Sequence, residues 1–360
     1  MNKRILFLAI NLNSGGAERQ IVTIASLLKE SGCDVSFVCY ELGDFFLDRL
    51  RQRGIQVSWI LQKGIIKRLF LFRSFIRKGN YDVVVSFLET PNILNCFAAV
   101  GGRKWRVITG ERSSIKDNLM SMRGRIIAIL LKNQADSLIC NSYNAAHMWE
   151  QVFPKLKNKI SVIYNICSVQ KKTYSINRIN GITKIVVAAS YREIKNIENV
   201  IKALCLLSKD ERARLRIFWY GNRFFRGSIY DQSNDFINRY ELGDTIRLFP
   251  ETPFIEEEMS KADYIALFSF YEGLPNAICE AMTLGKPVIM TPVSDYRFLV
   301  KDNGFICEGV DALSISKVLR KAINVRDEEI DSMGRESKRI AEKLFAKEVI
   351  LEKWLNEINS

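Results

Sequence analysis

Ser269-Phe270-Tyr271-Glu272-Gly273-Leu274-Pro275-Asn276-Ala277-Ile278-Cys279-Glu280-Ala281-Met282-Thr283-Leu284-Gly285-Lys286-Pro287-Val288-Ile289 sets two carboxylates around the start of a short helix. Glu272 falls in the loop and Glu280 one turn inside. Pro275 suits the first helical position, because its fixed φ is helical and the amide it lacks would be unpaired there. Gly285 followed by Pro287 stops the helix before a strand at Val288-Ile289-Met290. With a rise of about 1.5 Å per residue, Glu280 stands roughly 6 Å along the axis from Asn276, so both glutamates can reach one ligand lying over the helix end. That end carries free amides and the positive pole of the helix dipole, which suits a diphosphate. A carboxylate repels such an anion. Glu272 and Glu280 are therefore placed to accept hydrogen bonds from neutral hydroxyls on either side of the phosphates, and a nucleotide sugar offers ribose at one end and a hexose at the other. The competing reading is a capped surface helix whose acids merely favour its N-terminus.

Outward from this stretch, short apolar runs alternate with helical patterns through both halves, the order of parallel sheets covered by helices. Strands are expected at 4–10, 34–40, 56–60, 82–87, 106–109 and 137–141. The second set is 184–189, 214–220, 246–249, 264–268, 286–290 and 304–307. A chain of 360 residues is long for one core, and about 150 residues per domain suggests two.

The signature segment, with its serine, its Gly-Leu-Pro-Asn loop and its Glu-Ala-Met, closely resembles the E-x7-E motif of retaining family-four glycosyltransferases. The resemblance implies an α/β GT-B fold, two Rossmann-like domains with parallel sheets facing an interdomain cleft. The polar, aperiodic stretch 169–183 is expected as the linker; the resemblance makes 1–168 the acceptor-side domain, with a closing strand in 159–165, makes 184–344 the nucleotide-sugar-binding domain, and has a last helix in 345–360 cross back to the first domain. It implies that Glu280 holds the ribose, that Gly273, Leu274, Pro275 and Asn276 meet the phosphates and sugar, and that Glu272 lies by the transferred hexose. Lys195, in Ser190-Tyr-Arg192-Glu-Ile-Lys195-Asn196, fits the family's phosphate-binding lysine. Relatives place an arginine five residues earlier, where this chain has Ser190; Arg192 stands three before, and solvated surface charge is its other reading. Two such cations would neutralise the departing nucleoside diphosphate without a metal.

Asn13-Ser14-Gly15-Gly16-Ala17-Glu18-Arg19 follows the first strand and opens a helix running to about Lys29. It is not G-x-G-x-x-G, so a dinucleotide dehydrogenase is poorly supported. The resemblance puts Gly15 on the acceptor side and Gly16 by the donor phosphate; a plain strand-to-helix turn is the alternative. In parts of the family a histidine follows the fifth strand, but here the sequence reads Thr109-Gly110-Glu111-Arg112-Ser113. Glu111 is a candidate to orient the acceptor or accept its proton, and Arg112 to bind an acceptor phosphate. Glu89, in Ser86-Phe-Leu-Glu89-Thr-Pro-Asn92, is expected on the acceptor side. The one histidine, His147, reads as structural. If the leaving phosphate oxygen takes the acceptor proton on the front face, no protein base is needed.

Net charge is +13, carried almost wholly by residues 1–168, where 24 lysines and arginines face 12 acids. A field on one domain points to an anionic partner, nucleic acid or a membrane surface, and charge alone does not choose. Lys63 to Lys78 has six basic residues and no acid among Ile65, Ile66, Leu69, Phe72, Phe75 and Ile76, a pattern that can lie flat on lipid or be a domain helix with a solvated rim. A weaker candidate, Arg103 to Lys132, includes Lys116, Arg123 and the apolar run 126–131. No run approaches the roughly 18 apolar residues that span a bilayer, and the polar Asn11, Asn13 and Ser14 make the N-terminus a buried strand rather than a signal peptide. Eight scattered cysteines without a Cys-x-x-Cys pair argue against metal and disulfide frameworks.

The expectation is a cytoplasmic enzyme, peripheral at the inner membrane face. It would move a hexose or N-acetylhexosamine, most simply from a UDP-sugar, to a polyprenyl-diphosphate-linked glycan of a surface polysaccharide such as O-antigen or capsule. It would use no cofactor or metal and bind no nucleic acid. Two alternatives stay open: a GT-B nucleotide-sugar epimerase, and a non-catalytic membrane scaffold.

Overall fold

The computed structural model describes residues 3–112, 120–167, 178, 181–223 and 229–360, the side chain of Arg123 excepted. Most of the expected linker, and Ser113 and Lys116 with it, lies outside the described residues. The chain forms two compact α/β units, one of residues 1–166 with 347–360 and the other of residues 167–346.

The first unit is built on seven strands, β1 Arg4–Ala9, β2 Asp34–Cys39, β3 Gln56–Trp59, β4 Val83–Phe87, β5 Arg106–Glu111, β6 Ser137–Cys140 and β7 Ile160–Val162. They pair in the order β3-β2-β1-β4-β5-β6-β7, every pair parallel. The second has six, β8 Thr183–Ala188, β9 Leu215–Gly221, β10 Ile246–Pro250, β11 Tyr264–Leu267, β12 Val288–Met290 and β13 Gly304–Ile306, in the order β10-β9-β8-β11-β12-β13, again all parallel. Every strand but β7 lies at or within two residues of the position expected from the apolar runs, and β7 falls inside the expected closing stretch 159–165. The reason is visible in burial: β1, β4 and β11 are covered on both faces and read as unbroken apolar segments, whereas the edge strands β3 and β7 are only half-buried. Each unit has its own core, Leu6, Val84, Val107 and Leu138 in the first and Ile185, Ile217, Ala266 and Ile289 in the second.

The signature helix is Asn276–Thr283. It begins one residue later than the proline pattern predicts, because Pro275 has ψ 87 and serves as the cap: its carbonyl accepts from Ile278 N at 3.0 Å and Cys279 N at 3.1 Å, the first bonds of the ladder. Gly285, at φ +72, closes the helix as its residue type predicts. Gly285 N donates to Met282 O and Lys286 N to Ala281 O, the paired bonds of a Schellman motif. The long helix Asp327–Phe345 packs against the signature helix. Contact is close because Gly334 has no side chain: a Cβ there would overlap the Gly285 carbonyl.

In the first unit, helix Glu89–Ala99 lies between helices Ile65–Lys78 and Met122–Gln134, packed against both. The terminal helix Lys347–Asn359 rests on helix Gly16–Glu30 and buries Trp354 against Phe87, ring centroids 5.9 Å apart. Glu357 anchors it through Ser161 Oγ and Arg106.

Candidate functional site

In the second unit the loops after β8 and β11 are fastened to each other at the carboxyl edge of the sheet, where open parallel sheets bind ligands. Phe270 N donates to Ile194 O at 2.9 Å. Asn196 caps helix Ile197–Cys205 from a left-handed conformation, φ +63, and its Nδ2 donates to Phe268 O at 2.9 Å and Val310 O at 2.7 Å. Asparagine is among the few residue types that take this backbone readily. Across the join, Lys195 Nζ meets Glu272 Oε1 at 2.5 Å, with the two side chains 20% and 15% exposed. The same oxygen accepts from Ser269 Oγ at 2.7 Å, and the Ser269 carbonyl accepts from Thr291 Oγ1 at 2.7 Å. Glu272 is thereby held by one oxygen, and Ser294 Oγ donates to Gly273 O, steadying the turn that leads to the signature helix.

Glu280 is half-buried one turn inside that helix, Leu274 and Pro275 are buried, and Gly273 and Asn276 are half-buried. Arg192 is exposed at the start of the 3-10 turn Glu193–Lys195. Beside the joined loops a cavity of about 260 Å³ is lined by Glu193, Asn196, Ile197, Phe236 and Phe270. Neither signature glutamate lines it.

In the first unit, parallel register brings the loop starts after β4, β5 and β6 together. Phe87 pairs with Gly110, and Glu111 with Cys140, so Arg112 continues opposite Asn141. Glu111 ends β5 and accepts the Arg112 amide on Oε1 at 2.8 Å. The Arg112 guanidinium lies over the Phe87 ring at 3.9 Å and donates through Nη1 to Asn165 Oδ1 at 2.9 Å. Burial pulls its pKa down to about 10. Leu88, between Phe87 and Glu89, has φ +73, a conformation that costs a branched side chain on the order of 1–3 kcal/mol. Glu89 is then the first residue of its helix. Gly15 caps helix Gly16–Glu30 in an extended conformation, with Gly16 exposed at its first position after β1. His147 is exposed on helix Tyr143–Val152, its Nε2 2.8 Å from Gln151 Nε2.

The basic stretch 63–78 divides in two. Arg73 donates to the carbonyls of Phe97, Ala98 and Val100, and Arg77 to those of Ala98, Val100 and Gly102. They cap the end of helix Glu89–Ala99, where cations are favoured. Arg68 stacks on Tyr40 at 4.1 Å and donates to Gln62 O. Lys63, Lys67 and Lys78 remain exposed, beside Ile65, Ile66, Phe70 and Leu71. Of the six apolar residues assigned to one face, Phe72 and Ile76 are in the core and Leu69 and Phe75 are half-buried, while Ile65 and Ile66 point outward. A sequence pattern that adds arginines to lysines cannot separate caps from free charge. Seven cysteines are buried, Cys205 is exposed, and none of the eight forms a disulfide. No described helix is long and apolar enough to cross a membrane.

Two family models match the chain, Glycosyltransferase Family 4 over residues 14–171 and Glycosyl transferases group 1 over residues 171–340. An α-1,4-N-acetyl-D-galactosaminyltransferase of Campylobacter jejuni, named for a GalNAc-bearing PP-undecaprenol, is 23% identical over 99% of this chain and 98% of its own. Among solved structures, a Rickettsia africae glycosyltransferase superposes with TM-score 0.82 at 17% identity, over 99% of this chain and 98% of that one. Anabaena Alr3699/HepE, solved with UDP and glucose, gives 0.81 at 17%, over 99% and 100%. At that level of identity they establish the architecture, the GT-B fold.

Proposed function

We propose a specific reaction for a chain that belongs to the family-four glycosyltransferases, its two models together spanning residues 14–340: transfer, with retention at the anomeric carbon, of a hexose or N-acetylhexosamine from a UDP-sugar to a lipid-diphosphate-linked glycan in surface-polysaccharide assembly. The observation that carries it is the Lys195–Glu272–Ser269 cluster at the head of the signature helix. Lys195 faces the donor's diphosphate together with the amides at the helix N-terminus, and Arg192 supplies a second cation from the same turn. Glu272, with Oε1 held, offers Oε2 to a hexose hydroxyl, and Glu280 accepts from the ribose. When the diphosphate departs, its charge is met by side chains and amides already in place, so the reading needs no metal. The departing phosphate oxygen takes the acceptor proton on the same face, which keeps the configuration without a protein base.

The UDP-bound Anabaena neighbour and the Campylobacter relative support the choice of donor and acceptor class. A membrane location is supported by the first unit. Helix Ile65–Lys78 exposes Ile66 and Phe70 with Lys67 and Lys78, Lys63 lying just ahead of it, and helix Met122–Gln134, on the other flank of helix Glu89–Ala99, exposes Met122, Ile126 and Ile129 with Arg125. Apolar area beside basic side chains binds anionic lipid surfaces.

The test is a melting-temperature panel with UDP-, GDP- and ADP-sugars. A ligand at about 100 times its Kd adds ~2.7 kcal/mol to the native state, so a UDP-sugar is expected to raise the Tm by several degrees and Glu272→Gln to reduce the rise. No shift with any of the three sinks the donor assignment. Donor recovered as its epimer, without acceptor, would convert the reading to epimerisation.

A further inference from the structure

Arg112 differs from Arg103 and Arg106, two other half-buried arginines of its unit. Arg103 is met by Asp136 at 2.8 Å and Arg106 by Glu357 at 3.6 Å. Arg112 is met by a ring face and an amide oxygen. Its Nε and Nη2 are buried and have no hydrogen-bond partner among the described residues. The nearest acid in sequence, Glu111, turns an oxygen to the Arg112 backbone amide. The charge of Glu111 offsets the burial only in part, and a buried cation without an ion pair is unfavourable, yet part of the residue reaches solvent, so an incoming anion has a short way to travel. Asn141, opposite Arg112 in the extended register, likewise has a buried Oδ1 without a partner. All three residues of this cluster, Arg112, Asn141 and Asn165, lie past the carboxyl ends of β5, β6 and β7, the edge at which parallel sheets take ligands.

We propose that Arg112 anchors a diphosphate, that of the lipid-linked acceptor, with its two unpartnered N–H groups forming a fork to the phosphate oxygens. The proposal rests on the lipid-diphosphate acceptor named above. Phe87 holds the guanidinium plane, and Trp354 behind Phe87 fixes that ring.

The experiment uses the full chain saturated with UDP, so that the donor site is filled, and titrates a short-chain prenyl diphosphate and inorganic pyrophosphate separately by calorimetry. For the unsubstituted protein both bind, the prenyl form more tightly. Arg112→Met, which keeps the packing of the stem on Phe87, weakens both by about 10- to 100-fold, the loss of charge-assisted hydrogen bonds; Arg112→Lys loses less. UDP affinity stays unchanged, and the Tm of ligand-free Arg112→Met equals or exceeds that of the parent, since an unpaired buried charge has been removed. Unchanged pyrophosphate affinity in Arg112→Met overturns the proposal. So does a parallel loss of UDP affinity, which would assign Arg112 to the donor. A Tm drop in Arg112→Met, with full pyrophosphate affinity kept by folded Arg112→Lys and no preference for the prenyl form, overturns the lipid assignment. Failure of the parent to bind UDP at all is a separate result that strikes the donor reading, not this one.

Discussion

Removal of Lys195 tests whether the ion pair at the signature is an energetic join between two loops or a mere adjacency of two charges. Lys195 Nζ and Glu272 Oε1 are 2.5 Å apart. At an effective dielectric constant of about 20 the gross attraction is roughly 6–7 kcal/mol, most of it offset by desolvation of the two ions. With 20% and 15% of the side chains exposed, the pair lies nearer the buried case, where loss of one partner costs about 3–5 kcal/mol, than the surface case at 0–1 kcal/mol. We expect ~2–3 kcal/mol for Lys195→Met, and similarly for Glu272→Met, because each strands the other charge. The double substitution strands nothing, so it should cost no more than either single one, a coupling of at least ~2 kcal/mol. In a unit of residues 167–346 each kcal/mol moves Tm by about 2–4 °C, which gives a drop of ~4–12 °C for a single substitution. Hydrogen exchange read peptide by peptide across 183–346 measures the cycle without interference from the first unit. Additivity of the two single effects within about 0.5 kcal/mol would refute the reasoning.

Gly334→Val should destabilise the second unit by on the order of 2–3 kcal/mol and weaken UDP-sugar binding, because the new side chain pushes the signature helix away from helix Asp327–Phe345; urea titration with and without nucleotide reads both. Lys286 is 3% exposed, burial lowers its pKa, and its ammonium donates to Ala262 O at 2.9 Å. A lysine depressed in the fold opposes folding while it is charged, so its contribution improves as pH rises from the folded pKa toward about 10.4. Lys286→Met should therefore equal or exceed the parent near neutral pH and lose ground to it toward pH ~10, and denaturation curves showing the opposite trend would count against the assignment. Ile66→Ser with Phe70→Ser should cut binding to anionic vesicles several-fold in a flotation assay and leave Tm within about 2 °C, since both side chains are exposed, 68% and 59%; undiminished flotation would move the membrane contact elsewhere.

Much of this protein was legible in the residues themselves. Pro275, Gly285 and Pro287 bracket the signature helix through φ preferences and missing donors, which act within a few residues. The strands announce themselves because a parallel sheet covered on both faces demands continuous apolar runs such as Ile5–Ala9 and Val83–Val85. Asn196 fits the same pattern, being one of the few residues that accept a left-handed backbone.

Partners far apart in sequence were decided only by the tertiary structure. That Lys195 would meet Glu272, 77 residues on, follows from β8 and β11 being neighbours in the sheet, a fact no local pattern contains. Ser269, Thr291 and Ser294, which steady Glu272 and its turn, carry no periodic signal, and the serine's place before the glutamate was the one available hint. Arginines 73 and 77 were counted with the free charges of their helix, yet they close the end of a helix more than ten residues away. Arg112 was readable as a cation after a strand, but its isolation over Phe87 was not. The division has a physical cause: backbone preference and burial periodicity are written residue by residue, whereas the pairing of charges depends on which strands the fold sets side by side.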